Sequence, residues 1–278
     1  MQKTIIEPNG RNFQYWKDLW RYRELAYNFA KRDVTVRYKQ TVIGFGWAVI
    51  NPIVNMLLMT FIFGGIAGLS SEGGTPYYIM VYLGLIPWSL ISKSLQGGAS
   101  TFINNAAIMQ KVYFPRILSP LGSMIAFLID TAISLGVLAI LMLIFYFIDG
   151  FVPSWRIILC PLVLVWAATL GLFAGLFLSS FNVKWRDLNQ IMPFLVSLGQ
   201  YASPVAYSVS ENFGDKWWLP LYCLNPAVGV LETFKWCAID SMKFNTFAFF
   251  VAIGWTVILI PLGIRFFRKT ERTFVDIV

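Results

Sequence analysis

The chain has 278 residues, 57% of them hydrophobic and only 13% charged, with a formal net charge of +8 and a mean hydropathy of +0.63. Soluble domains carry roughly 25% charged residues, and half that fraction cannot coat a globule of this size, so a soluble enzyme is excluded. The lack of histidine removes the usual zinc sites, Ser-His triads and imidazole relays. Cys160, Cys223 and Cys237 are too few and too scattered for a structural metal cluster. No G-x-x-x-x-G-K-[ST] occurs, so any ATP has to be bound by another polypeptide.

The charges are clustered. None occurs in 40–71, 73–92, 157–183, 188–210 or 244–264. A helix needs about 20 apolar residues to cross the hydrocarbon core, and each gap meets or nearly meets that length. The pattern predicts an all-α integral membrane protein with six spans, at about 47–69, 77–95, 118–147, 157–181, 191–207 and 247–267. They form one transmembrane domain, 47–267, between a cytoplasmic N-terminal segment, 1–46, and a cytoplasmic tail, 268–278.

Orientation follows from Lys and Arg. With both termini inside, eighteen of the 22 basic residues are cytoplasmic, and only Arg156, Lys216, Lys235 and Lys243 lie outside. The charge-rich first 39 residues contain no apolar core of signal-peptide type, which predicts an N-terminus that stays in the cytoplasm. The basic excess is thus a topological signal, and it does not indicate nucleic-acid binding.

In chain order, Phe13 to Val36 alternates apolar and charged residues at helical spacing. Phe13, Trp16, Trp20, Tyr27, Ala30 and Val34 lie near one stripe, opposite Lys17, Arg21, Glu24, Lys31 and Arg32. This describes an amphipathic helix in the membrane interface, either a plain anchor or a lever touching a cytoplasmic partner. Gly44 and Gly46 then bend the chain into the first span, where Pro52 leaves one carbonyl without its intrahelical partner. Asn51 and Asn55 sit one turn apart and face protein or water, as glue between helices or as channel lining.

The stretch 96–118 is amphipathic and ends at Pro115, which suits a short cytoplasmic helix docking on a partner or a surface linker. Asp130 is the one acid well inside a span. It marks either a functional site or a buried hydrogen bond to a backbone amide or Ser134. The outer loop 208–243 holds Trp217-Trp218-Leu219-Pro220 and Asn225-Pro226 followed by an apolar run, too aromatic for a solvated loop. Two short helices dipping into the outer leaflet are expected, the second starting near Pro226, capping a cavity. Cys223 and Cys237 share this loop, where small buried thiols are favoured over a disulfide.

Several runs then point to one family. They are Val36-Arg37-Tyr38-Lys39-Gln40-Thr41 followed by Gly44 and Trp47; Phe114-Pro115-Arg116; Arg186-Asp187-Leu188; Pro204-Val205; Asn225-Pro226; and the tail from Phe267 to Phe274. In this order and spacing the chain resembles, over nearly its whole length, the permease subunit of ABC-2-type exporters of O-antigen, capsular polysaccharide and teichoic acid.

The resemblance implies a homodimer of six-span subunits in a bacterial inner membrane, bound to two copies of a separate ATPase that holds ATP and Mg. This chain would bind no cofactor itself. By match, contacts to the ATPase fall on Arg32, Arg37 and Tyr38, on Gln110, Lys111, Phe114 and Arg116, and on Lys184, Arg186 and Asp187. Spans one, two and five would line a channel for a lipid-linked glycan between protomers, with Trp47, Asn51, Asn55, Trp88, Tyr201 and Tyr207 as lining candidates. The loop around Trp217, Trp218, Asn225 and Pro226 would be the outer gate, a re-entrant hairpin. Export of a small lipophilic molecule is a variant of this reading. A membrane-embedded transferase, which needs a carboxylate pair absent here, and a proton-coupled transporter resting on Asp130 alone are the rivals.

Overall fold

A computed structural model describes residues 12–39, 44, 46–71, 74–109, 111, 114–185, 187–209 and 216–277. Among these every regular element is helical. The helices are α1 (Asn12–Arg21), α2 (Arg23–Tyr38), α3 (Gly46–Met59, continued by a π-helical segment Thr60–Ile66), α4 (Tyr77–Ala99), α5 (Thr101–Asn104) and α6 (Ala106–Met109). They continue as α7 (Leu118–Asp149), α8 (Cys160–Lys184, preceded by a 3-10 turn Trp155–Leu159), α9 (Leu188–Ala202), α10 (Leu219–Tyr222), α11 (Pro226–Ala238) and α12 (Thr246–Ile277).

Five helical stretches among the described residues are long and apolar enough to cross a bilayer: Gly46–Ile66, Tyr77–Ala99, Leu118–Asp149, Trp155–Lys184 and Thr246–Glu271. The chain is therefore a multi-pass membrane protein. The remaining expected crossing, 191–207, contains α9, whose 15 residues fall short of the roughly 20 that a perpendicular span requires. Its end shifts back from 207 to Ala202 because Pro204 disfavours helical geometry in the residue before it, and Ser203 is extended. The tail expected at 268–278 is no separate segment, since α12 runs on through it.

At the centre stands α4, whose residues Ile79 to Pro87 are all buried. It lies against α8 at glycine contacts, as membrane helices do when small residues let backbones approach. A methyl group added at Gly175 would overlap the Leu95 carbonyl and come within 3.0 Å of the Ala99 amide nitrogen, and one at Gly171 would overlap the Ile91 carbonyl. Gly175→Leu is therefore expected to push α4 and α8 apart and to destabilise the protein by about 1–3 kcal/mol or more. Gly136→Leu, into open space on α7, should leave the melting temperature unchanged. Thermal unfolding of both variants in detergent checks this, and equal melting temperatures would refute the close packing.

The N-terminal segment differs from expectation in two ways. It breaks at Tyr22 into α1 and α2, and its buried face is Ala26, Phe29 and Ala30, whereas Trp20 and Tyr27 are exposed. The reason is Gly122 on α7, where an added methyl group would lie 2.6 Å from the Phe29 Cβ and 2.7 Å from the Ala26 carbonyl oxygen. Ala26, Phe29 and Ala30 of α2 thus settle on a glycine of α7, and Trp20 and Tyr27 turn outward. The side chains of Phe13 and Trp16 lie outside the described set.

Candidate functional site

Between α3, α4, α7 and α9, closed at one end by the C-terminus of α2, lies a cavity of about 560 Å³. Trp47, Asn51, Asn55 and Trp88, four of the six residues raised as channel lining, border it. The Asn55 amide donates to the Asn51 carbonyl at 3.0 Å, so the first asparagine side chain remains available to the cavity while the second folds back on its own helix.

Two lining candidates are elsewhere. Tyr201 is exposed on α9 with its ring centroid 6.4 Å from that of Phe63, and it does not line the cavity. Tyr207 follows the early end of α9 and is buried beside α10 and α11, where its hydroxyl pairs with that of Tyr222 at 2.8 Å.

The α2 end of the cavity is ionic. Arg37 donates to Asp130 Oδ2, Tyr38 donates to Asp130 Oδ1 at 2.7 Å, and Lys93 Nζ stands 3.5 Å from Oδ2. The Arg37 guanidinium also lies over the Phe127 ring at 4.9 Å. Burial, and then the bond to Asp130, push the Tyr38 hydroxyl up to about 12, so it stays a donor at physiological pH. The expected partner Ser134 binds only the backbone carbonyl of Asp130, at 3.3 Å. An acid inside a span needs a counter-ion, and here α2 supplies it from 93 residues away. That pairing places Arg37 and Tyr38, expected as ATPase contacts, against the cavity wall, and it gives the carboxylate on which a proton relay rested charged and hydrogen-bonding partners.

Of the other expected coupling residues, Arg32 holds Asp33 at 2.8 Å and Asn105 Oδ1 at 3.0 Å, while Ser123 of α7 donates to Asp33 at 2.6 Å. Phe114 is also no surface contact: it is buried against Phe29, centroids 5.6 Å apart, in a cluster with Phe102, Met109 and Phe267. The Arg116 backbone amide donates to Glu271 Oε1 at 3.0 Å and its guanidinium to the Glu271 carbonyl at 2.5 Å. Lys111, Lys184 and Asp187 are exposed. Gln110 and Arg186 lie outside the described residues. The loop between α4 and α7, helix α2 and the end of α12 thus form one interlocked layer at the α2 end of the helices.

At the opposite end, α10 and α11 form the expected pair of short helices. Asn225 Oδ1 accepts from the Ala227 amide at 3.1 Å and Pro226 opens the first turn, a standard helix start. The Asn225 amide reaches Ser203 at 3.1 Å, Trp218 packs on Tyr222, and Trp217 is exposed. Lys235, read from sequence as an outer-loop cation, is instead fully buried. Its ammonium donates to the carbonyls of Pro204 and, at 2.7 Å, Tyr207, with Glu232 at 3.8 Å. The i,i+3 Glu-Lys pair in an otherwise apolar run was the signal for this core. Cys223 lies beside Asn245 and all three cysteines are buried free thiols.

A family model described as ABC-2 type transporter matches residues 25–237. An O-antigen export system permease protein, RfbA, of Myxococcus xanthus is 29% identical over 219 residues, 79% of this chain and 82% of that protein. An RfbA of Klebsiella pneumoniae is 25% identical over 92% of this chain and 95% of its own. The polysialic acid transport protein KpsM of Escherichia coli is 22% identical over 86% and 91%. The matched region takes in nearly all of α2, the cavity helices and α11 to within one residue of its end, and it leaves out α12. The chain is a member of the ABC-2 type transporter family.

Proposed function

We propose that the chain is the membrane-spanning subunit of an ATP-driven exporter that moves a lipid-linked polysaccharide of O-antigen type out of the cytoplasm across a bacterial inner membrane. Capsule or teichoic acid export is the same reading with another cargo. Two copies would enclose the path, and two copies of a separate ATPase would bind ATP and Mg. In this reading α9 is the sixth crossing, completed by the buried turn 203–209, and both termini face the cytoplasm as the Lys and Arg distribution predicts. The helices α1 and α2 lie in the membrane interface, with Trp20 and Tyr27 toward the lipid headgroups, while α10 and α11 form a re-entrant gate.

One observation carries the proposal: the Arg37–Asp130 pair ties α2 directly to the wall of the cavity. The exposed Lys111, Lys184 and Asp187 flank this layer, and motion of an ATPase against them would reach the cavity through that pair. The chain supplies no chemistry. Energy enters as the ATPase favours one of two arrangements of the helices.

The test is co-expression with the ATPase of the same operon. An equimolar complex whose hydrolysis depends on this subunit, and which restores surface polysaccharide to an export-deficient strain, supports the proposal. A chain that purifies alone and restores no polysaccharide overturns it. Lys111→Glu is expected to weaken the complex, because it reverses an exposed cation at the proposed interface, and pull-down at increasing salt measures this.

A further inference from the structure

The start of α8 is sewn to the end of α11. The Ser154 amide donates to the Ala238 carbonyl at 3.0 Å. The Arg156 guanidinium donates to the carbonyls of Ile239 at 3.2 Å and Asp240 at 3.0 Å, and it lies over the Trp236 ring at 4.2 Å. Inside this seam Cys160, the first residue of α8, and Cys237, the penultimate residue of α11, hydrogen-bond to each other through their thiols. Both are buried in the same apolar cluster, at 3% and 1% exposure. Two sulfurs already in contact, on helix ends held together by backbone bonds, need only side-chain rotation to reach bonding distance. The hydrogen bond from Cys160 holds the Cys237 thiol below its ordinary value, and the Arg156 charge acts in the same sense. The pairing considered from sequence, Cys223 with Cys237, has no such geometry. About 16 Å of helix separates Pro226 from Cys237, and Cys223 lies beside Asn245 instead.

We propose that Cys160 and Cys237 are joined in the cell as a disulfide that clamps the end of α11 to the start of α8. This rests on the orientation proposed above, in which the seam faces the outer, oxidising side. Arg156 and the 76% exposed Asp240 place it at the level of the headgroups, within reach of a water-borne oxidant while the hairpin docks. That oxidant is the disulfide of an exported thiol-disulfide oxidoreductase. The Cys237 thiolate attacks one of its sulfurs and expels a thiolate. The Cys160 thiol loses its proton to water, attacks the Cys237 sulfur and expels the second. Two protein thiols give up two electrons and two protons, and the oxidant leaves as a dithiol. With this end of α11 fixed, the hairpin opens only at its α10 end, where Trp217 is exposed.

The experiment uses the unmodified transporter with its ATPase, alkylated by N-ethylmaleimide in intact cells before lysis and digested without reductant. Mass spectrometry should find a peptide pair joined through Cys160 and Cys237 in most copies, with Cys223 still a thiol. In a strain lacking its exported thiol oxidase the linked fraction should fall at least about tenfold. Reduction that cleaves the pair should lower the melting temperature by about 5–10 °C, because the bridge closes a long loop. Alkylated thiols at 160 and 237, or a pair that forms only when alkylation is omitted and is therefore air oxidation, would overturn the disulfide. Equal melting before and after verified cleavage would overturn the clamp. Orientation is read separately from Ser241→Cys, at an exposed position beside the seam, in a Cys160→Ser, Cys237→Ser background with a membrane-impermeant maleimide. Labelling from outside, with no linked pair in the unmodified protein, leaves the orientation standing and removes the disulfide alone. No labelling from outside overturns the orientation, and the oxidising side on which the disulfide depends falls with it.

Discussion

Lys235→Ala is expected to melt about 10 °C below wild type and to lose the outer hairpin first. The Lys235 ammonium is wholly buried and holds the carbonyls of Pro204 and Tyr207, with the Glu232 carboxylate, itself 2% exposed, at 3.8 Å. Truncation strands two carbonyls and removes the cation beside a buried carboxylate, which typically costs about 3–5 kcal/mol. At roughly 2–4 °C per kcal/mol for a chain of this size, the shift is well within reach of a thermal scan in detergent. Lys235→Met refills the volume without the charge and should remain destabilised. Adding Glu232→Gln should recover part of the loss, because the carboxylate beside the vacated position is then neutral. A Lys235→Ala protein that melts with wild type would show the ammonium to be idle. The functional consequence follows from place: this pair fixes α11 to the turn after α9, so export should fail with hydrolysis retained if the hairpin is the gate.

The architecture was largely legible from spacing alone. Apolar stretches located the starts of the long helices to within a few residues, while the end of α12 ran ten residues past the expected 267, and Asn225-Pro226 located the start of α11 because capping chemistry is local. Three features escaped, each for a reason of range. The packing face of α2 depends on Gly122, nearly a hundred residues away, and no pattern within α2 distinguishes Ala26 and Phe29 from Tyr27 as the buried set. The partners of Asp130 lie on another helix, so a search along its own span offered Ser134. Lys235 was counted with the outer-loop cations by its position in the Lys and Arg distribution, and its carbonyl partners, Pro204 and Tyr207, lie about 30 residues before it. For the site, the resemblance raised Trp47, Asn51, Asn55 and Trp88 as channel lining, and all four border the cavity within this chain. Lys93, named by no motif, lines the cavity six residues before the end of α4 at Ala99.

Asp130→Ala is expected to reduce polysaccharide exported per ATP hydrolysed by about tenfold while leaving the membrane helices folded. The carboxylate is 7% exposed, but Arg37 is 32% and Lys93 44% exposed, so solvent recovers part of what each cation loses. The full cost of breaking a buried pair is therefore discounted to about 1–2 kcal/mol, a factor of roughly 5 to 30 in the balance between tied and released α2. Two cations are then left facing each other across the space the carboxylate filled, which favours release. Asp130→Asn keeps an acceptor for Tyr38 but turns the amide against Arg37, and it should fall between. The decisive variant exchanges the charges, Arg37→Asp with Asp130→Arg. Net charge is conserved, the tie between α2 and α7 is rebuilt in reverse, and coupling should recover beyond the sum of the single losses. An arginine at 130 cannot release a proton, so recovery in the exchanged protein also excludes a relay through this position. Were Asp130→Ala to export as much per ATP as wild type, α2 would be an anchor and the coupling would have to pass through the loop before α7.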